Sequence, residues 1–470
     1  MTGAKVEASA SLVAYNAVYT WTISLVAALG GLLFGYDFVV IGGAKPFYEK
    51  FFRLVEPWQQ GWAMSCALAG CMVGALISGS LSETLGRKRV LIVSGFLFVV
   101  SSLGTALAGT LSHFVLWRIA GGVAIGLASN LSPMYIAEIS PPQTRGRLVS
   151  LNQLTIVIGI LMAQIMNWAI ARKVLPGATA LDILNSWNGQ VGWRWMFGVT
   201  AIPATVFFGA MFAVPESPRW LAKSGQPARA QRVLARIGGE AYSQRALADI
   251  RLSLGHAVAK VNLRELLERR ARRILTLGVV LAVFQQWCGI NVVFNYAEEV
   301  FSVAGYNVSD ILFNIVVTGA VNLVFTFVAI STVDRAGRRI LMLIGSAGLA
   351  AIYTLLGAGY RAGSQGFHML VLVVAAIAVF AMSLGPVTWV VISEIFPNRI
   401  RGEGMAVAVT SLWMACFILA YTFPLLNHGL GPATTFWIYA AICIAGFLFI
   451  KFRLPETKGK TLEEIEELMA

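Results

Sequence analysis

Charge is scarce in this sequence: Asp, Glu, Lys and Arg make up only 13% of 470 residues, about half the share of a soluble domain. With 57% hydrophobic residues and a mean hydropathy of +0.72, a soluble fold of this length could not hide its apolar surface. Disorder needs low hydrophobicity and is excluded too. Cysteine is rare: Cys66, Cys71, Cys288, Cys416 and Cys443 all fall in apolar runs and form no CxxC. They read as small core hydrophobes, neither a disulfide framework nor a metal centre. The histidines His113, His256, His368 and His428 are scattered, without metal-ligand spacing. No GxxxxGK[ST] loop is present, so ATP-driven work has no support. No Ser/His/Asp set or paired carboxylates point to an enzyme, and no cofactor is called for. The first apolar run follows about eighteen polar or mixed residues and has no cleavage-like site after it, unlike a secretory signal.

What is present is a series of long apolar runs. About 20 such residues cross roughly 30 Å of hydrocarbon. On that rule the chain is an all-α membrane protein with twelve transmembrane helices, near 19–42, 58–82, 89–109, 113–138, 147–171, 192–214, 273–300, 310–333, 339–360, 368–394, 404–425 and 432–453. Residues 1–214 form a first six-helix bundle, 273–453 a second, and 454–470 a tail. The one long polar segment, 215–272, carries Ala228, Val233, Leu234 and Ile237, then Leu263, Leu266 and Leu267, spacings that suggest short amphipathic helices.

The charges that do occur are unbalanced, 36 Lys+Arg against 23 Asp+Glu. They sit in short clusters between apolar runs, so anionic lipid headgroups of a bilayer are the nearer partner and nucleic acid is not expected. The loops after even-numbered spans and the tail hold 27 of the 36 cations, the loops after odd-numbered spans six. The positive-inside rule places both termini and 215–272 in the cytoplasm of a multi-pass plasma-membrane protein.

The two halves repeat. Glu83-x-x-Gly86-Arg87-Lys88 after span 2 matches Asp334-x-x-Gly337-Arg338-Arg339 after span 8. Glu138-Ile139-x-Pro141 with Arg145-Gly146 matches Glu394-Ile395-x-Pro397 with Arg401-Gly402. Pro215-Glu216-Ser217 matches Pro455-Glu456-Thr457. Such halves usually rock about a site near the membrane midplane. Carboxylates recurring beside arginines at helix ends suggest a latch, built from Glu83, Arg87, Glu138, Arg145, Glu216, Asp334, Arg338, Glu394 and Arg401, whose opening lets the halves part on the cytoplasmic side. The alternative is that the arginines only anchor loops to lipid phosphates, which leaves the recurring carboxylates unexplained.

These motifs, with Pro215-Glu216-Ser217-Pro218-Arg219-Trp220-Leu221 and Pro455-Glu456-Thr457-Lys458-Gly459, resemble the sugar porter branch of the major facilitator superfamily, over nearly the whole chain. One departure is Glu83, where the first loop of the superfamily more often has Asp; the charge is kept.

Ionisable groups inside a span are functional candidates by default. Asp37 in span 1 and Arg118 in span 4 lie at similar depth, a turn or two below the outer surface. Paired, each offsets the desolvation of the other. Two readings stand: a static ion pair, or a switch in which protonation of Asp37 frees Arg118. The resemblance supports the switch, because proton-coupled sugar porters carry Asp here and uniporting relatives tend to carry Asn. Mid-span amides form a second group: Gln153 in span 5, Gln285, Gln286 and Asn291 in span 7, Asn322 in span 8. Amides donate and accept without charge, which suits a neutral polyhydroxylated ligand; they can also bond neighbouring helices. Trp389, after Gly385-Pro386 in span 10, offers a face for a sugar ring or simply packs. The Gly-Pro pair should break its span. The resemblance assigns monosaccharide contact to Gln153, Gln285, Gln286, Asn291, Asn322 and Trp389. Departures are Asn295 where many relatives have Tyr, Ile160 for a second span 5 Gln, and Leu412 and Cys416 where relatives place amides.

The expected function is proton-coupled symport of a monosaccharide, a hexose or pentose such as glucose or xylose, by alternating access, with a monomer sufficient. Facilitated diffusion with a structural Asp37 is the alternative. A non-transporting sugar receptor is the third; it would be expected to carry a long signalling tail.

Overall fold

The computed structural model describes residues 15–175, 177–255, 268–303, 305–396, 400–458 and 464. Leu263, Leu266, Leu267, Pro397 and Gly459, and the side chains of Asp334 and Arg401, lie outside the described residues.

With no water in the bilayer core, each spanning segment must satisfy its own backbone, so apolar runs of this length fold as helices. Spans 1–10 are Ala17–Phe51, Pro57–Leu85, Arg87–Ala106, Leu111–Ile139, Arg145–Ile170, Asn188–Ala213, Ala271–Asn295, Val308–Val333, Arg338–Arg361 and Phe367–Ile395. The last apolar stretch, Arg401–Arg453, is helical throughout except at Gly431 (φ 78°), which divides it into spans 11 and 12. The loop expected between them is therefore a single residue. Twelve spans in two six-helix halves result, with no strand among the described residues.

Spans 7 and 10 are broken within the membrane. Span 7 breaks at Gly289 (φ 87°), resumes as Ile290–Asn295, and is followed by a separate helix, Ala297–Val303. Span 10 consists of Phe367–Ala381 and Leu384–Ile395. Its break falls at Met382–Ser383, not at Gly385-Pro386. A proline ring clashes with the carbonyl four residues back, which here is Met382, and Pro386 itself sits in the first turn of the new helix, where its missing N–H costs nothing.

The sequence repeat is also a repeat of geometry. Gly86 (φ 94°) and Gly337 (φ 93°) turn the chain between spans 2 and 3 and between spans 8 and 9. A carboxylate then caps each following helix. Glu216 Oε1 accepts from the backbone N–H of Arg87 and Lys88, both at 3.0 Å. Glu456 accepts from Arg338 and Arg339 at 2.9 and 3.1 Å. Orphan N–H groups at a helix start attract negative charge in this way. A Cβ at either glycine would meet that carboxylate.

The polar segment after span 6 folds as Pro218–Lys223 and Pro227–Gly255, the latter kinked at Gly238–Gly239. Leu221, Ala230, Leu234 and Leu247 bury a small core. The segment docks on the first half: Trp220 Nε1 donates to the Glu83 carbonyl at 2.9 Å, Tyr135 Oη to the Pro215 carbonyl at 2.7 Å, and Asn16 N to the Ile237 carbonyl at 2.7 Å.

Candidate functional site

A cavity of about 2240 Å³ runs between the halves. Its mouth is lined by Glu83, Arg87, Arg219, Lys223, Arg251 and Arg338, so it opens on the face that carries the charged motifs. At the opposite face the halves close on backbone contacts. Gly42 of span 1 lies so near span 7 that a Cβ would stand 2.8 Å from the Phe294 carbonyl oxygen and 3.1 Å from that of Asn295. Gly61 of span 2 meets the backbone of Tyr421 in span 11 in the same manner.

All six residues assigned to sugar contact line this cavity: Gln153, Gln285, Gln286, Asn291, Asn322 and Trp389. The break at Gly289 re-aims span 7 so that residues on both sides of it converge. Gln286 Nε2 donates to Gln285 Oε1 at 2.6 Å, and Asn291 Nδ2 donates to Gln286 Oε1. Asn291 also approaches Cys416 Sγ, 3.7 Å away. The three amides thus form a chain of donors and acceptors facing open space, with capacity left for hydroxyl groups. Gln153 faces them from the first half, half-buried.

Asp37 and Arg118 meet as expected. Arg118 Nη1 donates to Asp37 Oδ1 at 2.8 Å and Nη2 to the Asp37 carbonyl at 3.3 Å. Both side chains are buried, with 7% and 3% of their surface exposed, and Arg118 lies 5.3 Å from the Phe197 ring centroid. Asp37 Oδ2 and Arg118 Nε have no hydrogen-bond partner. The pair borders the large cavity without lining it.

The motif charges brace each half. Arg87 binds Glu138 (3.1 Å), Glu83 (2.9 Å) and the Ser82 carbonyl (3.0 Å). Arg338 binds Glu394 (3.1 Å) and the Val333 carbonyl (3.3 Å). Ser217 donates to Glu138, and Thr457 donates to Glu394 at 2.6 Å. Lys223 pairs with Glu83. Among the described residues these groups make no pair across the halves in this conformation. Each of these described pairs stays within a half, or joins the first half to the docked 215–255 segment, and the cavity mouth lies between the halves here. Arg145 is exposed and has no carboxylate partner among the described residues.

Residues 23–469 match the family model described as sugar (and other) transporter. The chain is 39% identical to the D-xylose-proton symporter of Escherichia coli, over 97% of this chain and 96% of that one. It is 39% identical to the arabinose-proton symporter of Bacillus subtilis, over 95% and 94%. The chain belongs to the sugar transporter family. Its fold matches the inward-open xylose transporter of E. coli with a TM-score of 0.83 at 38% identity, over 96% of this chain and all of that one. The twelve-span major facilitator architecture follows.

Sequence reasoning missed part of this transporter's site wall. Phe34, Phe38, Phe294, Phe380 and Trp413 also line the cavity. Phe34 and Trp413 face each other across the halves with ring centroids 5.6 Å apart. Aromatics inside apolar spans carry no periodic signal; only the position of Phe34, three residues before Asp37, could have singled it out. Ile160, Leu412 and Cys416 do line the cavity, so the departures from relatives fall on its surface. Asn295 is buried, its Oδ1 has no partner, and it borders a small pocket beside Arg118.

Proposed function

We propose that this transporter carries a neutral monosaccharide, a hexose or a pentose, inward with a proton by alternating access. The observation that carries the reading is the division of labour in the membrane: a chain of uncharged amides faces the cavity, while one acid–base pair lies buried beside it in the first half. A sugar needs donors and acceptors without charge. A proton needs a carboxylate whose protonated and ionised forms prefer different surroundings. Protonation of Asp37 would weaken its hold on Arg118, and Arg118 together with the backbone of span 1 would respond. The names of the relatives, symporters of xylose and arabinose with protons, support the same reading.

The charged face is read as cytoplasmic, from the distribution of Lys and Arg; the open cavity then faces inward. The intra-half charge clusters become the latch of the opposite state, in which their free surfaces meet. No chemical change of the sugar is proposed, and no cofactor enters.

The test is uptake of labelled sugar into vesicles, with and without an imposed proton gradient. Symport predicts gradient-driven accumulation, lost in Asp37→Asn while exchange of sugar persists. Accumulation that survives in Asp37→Asn removes the proton role from Asp37. Gradient-independent equilibration in the unaltered protein selects facilitated diffusion, and no sugar movement at all selects a receptor.

A further inference from the structure

On the face opposite the cavity mouth, four charged side chains meet across the two halves. Lys45 of span 1 is 98% buried. Its Nζ lies 3.1 Å from Glu49, one turn further along the same helix, 3.5 Å from Glu298 and 2.5 Å from Glu299. The last two belong to Ala297–Val303, the short helix that follows span 7. One ammonium therefore serves three carboxylates, a net charge of −2 if all are ionised. Two carboxylate oxygens, Glu49 Oε1 and Glu299 Oε2, are buried with no hydrogen-bond partner. A buried, ionised carboxylate oxygen with no donor is costly, and a bound proton relieves it.

The surroundings supply little compensation. Span 1 adds Tyr48, buried, with an unpartnered Oη, and the exposed Lys50 beside Glu49. The end of span 7 adds Tyr296, whose ring lies 5.7 Å from Lys45 Nζ and whose Oη donates to the Ala420 carbonyl of span 11 at 2.5 Å. Span 2 contributes the thiol of Cys66 and span 4 the Phe114 ring stacked on Tyr48. Asp37, which pairs with Arg118, lies about 12 Å away along span 1, at 1.5 Å per residue. The cluster does not line the inward cavity. Glu298 and Glu299 keep 25% and 20% of their side-chain surface exposed, so the cluster exchanges protons with the outer solution.

We propose that Lys45, Glu49, Glu298 and Glu299 form a second proton-binding site, separate from Asp37, that takes up protons from the outer solution as the outer gate closes and returns them as it opens. The inference rests on the transport reading for the names of the two states. Opening moves Ala297–Val303 away from span 1. Lys45 then keeps Glu49 as its partner, and Glu299 regains water and ionises. The closed gate thus holds more protons than the open one. By linkage, acid outside favours closure and alkali favours opening, by up to about tenfold per pH unit for each proton taken up. Uptake and release occur on the same side, so this proton is not transported; it sets how readily the gate shuts. Glu49 and Glu299, which share Lys45, take up the proton together.

The experiment reads gate opening without sugar. Gln164 of span 5 is 99% buried against Gly319 of span 8. A Gln164→Cys reporter, in a chain whose five native cysteines are replaced, is labelled from outside by a membrane-impermeant maleimide. The reporter also carries Asp37→Asn, which removes the transported proton. External pH is varied from about 5.5 to about 8 at fixed internal pH, and rates are corrected for thiolate content. Labelling should slow several-fold towards acid, and Glu49→Gln with Glu299→Gln should abolish that dependence. A flat rate in the reporter chain overturns the proposal, as does a dependence unchanged in the double variant. Should the double variant not reach the membrane, Glu298→Gln, at a part-exposed position, should move the midpoint to lower pH, since less negative charge remains to hold the proton; an unmoved midpoint overturns it. Loss of sugar exchange in every form of the chain would defeat the transport reading instead, and labelling would still report the gate.

Discussion

At the scale of single residues, the amides of span 7 carry the most specific expectation. Gln286 is the middle member of the Gln285–Gln286–Asn291 chain, so its loss removes a hydrogen-bonding group and unsettles both neighbours. A neutral hydrogen bond contributes about 0.5–1.5 kcal/mol net. Gln286→Ala should therefore raise the sugar dissociation constant about tenfold, measured by calorimetry on the purified protein. Unchanged affinity would take Gln286 out of the site. Most of this residue-level picture was legible beforehand. Asp37, Arg118 and the mid-span amides stand out because polar groups are expensive inside a membrane, and their types indicate which chemistry they suit. Two kinds of residue were not legible. Cavity aromatics such as Trp413 look like any apolar packing residue. Lys45 reads as an ordinary loop cation past the end of span 1, whereas the helix continues to Phe51, nine residues beyond the expected limit.

At the scale of helices, closure of the face opposite the cavity mouth depends on backbones that touch. A side chain at position 42 of span 1 would press on the Phe294 and Asn295 carbonyls, and backbone atoms inside a packed helix cannot yield as a flexible side chain can. Gly42→Val should hold spans 1 and 7 apart and shift the population towards the outward-open state. The checks are faster outside labelling of the Gln164→Cys reporter and a fall in sugar exchange of about tenfold or more, since a 1.4 kcal/mol shift suffices for each decade. Normal exchange with unchanged labelling would mean that closure does not need this approach. Hydropathy located the spans because it registers burial in lipid. It could not register breaks such as Ser383 or Gly289, whose cause is local: a proline clash one turn back in the first case, a left-handed glycine in the second. It could not show the near-continuity of spans 11 and 12 either, since a single Gly431 looks like the centre of a longer loop.

At the scale of the molecule, the question is which solution the cavity faces in this conformation. The repeat places equivalent charged turns at one end of both halves, Gly86-Arg87-Lys88 and Gly337-Arg338-Arg339, and the docked 215–255 segment adds Arg219, Lys223 and Arg251 around the same opening. With 27 of 36 cations on that side of the expected topology, each Lys or Arg near an anionic leaflet contributes about 1 kcal/mol. Because the two halves run parallel, their preferences add rather than cancel. Reversing the whole chain would set that sum against insertion and bring Lys45, with its single positive charge among three carboxylates, to the anionic surface. A fluorescent protein fused after Ala470 should therefore mature and fluoresce in a bacterial host, whereas alkaline phosphatase fused at the same point, which folds only outside the cytoplasm, should stay inactive. Active phosphatase with a dark fluorescent fusion would invert the topology. The cavity described here would then be the entrance facing the outer solution, and the Lys45 cluster would sense the pH of the cytoplasm.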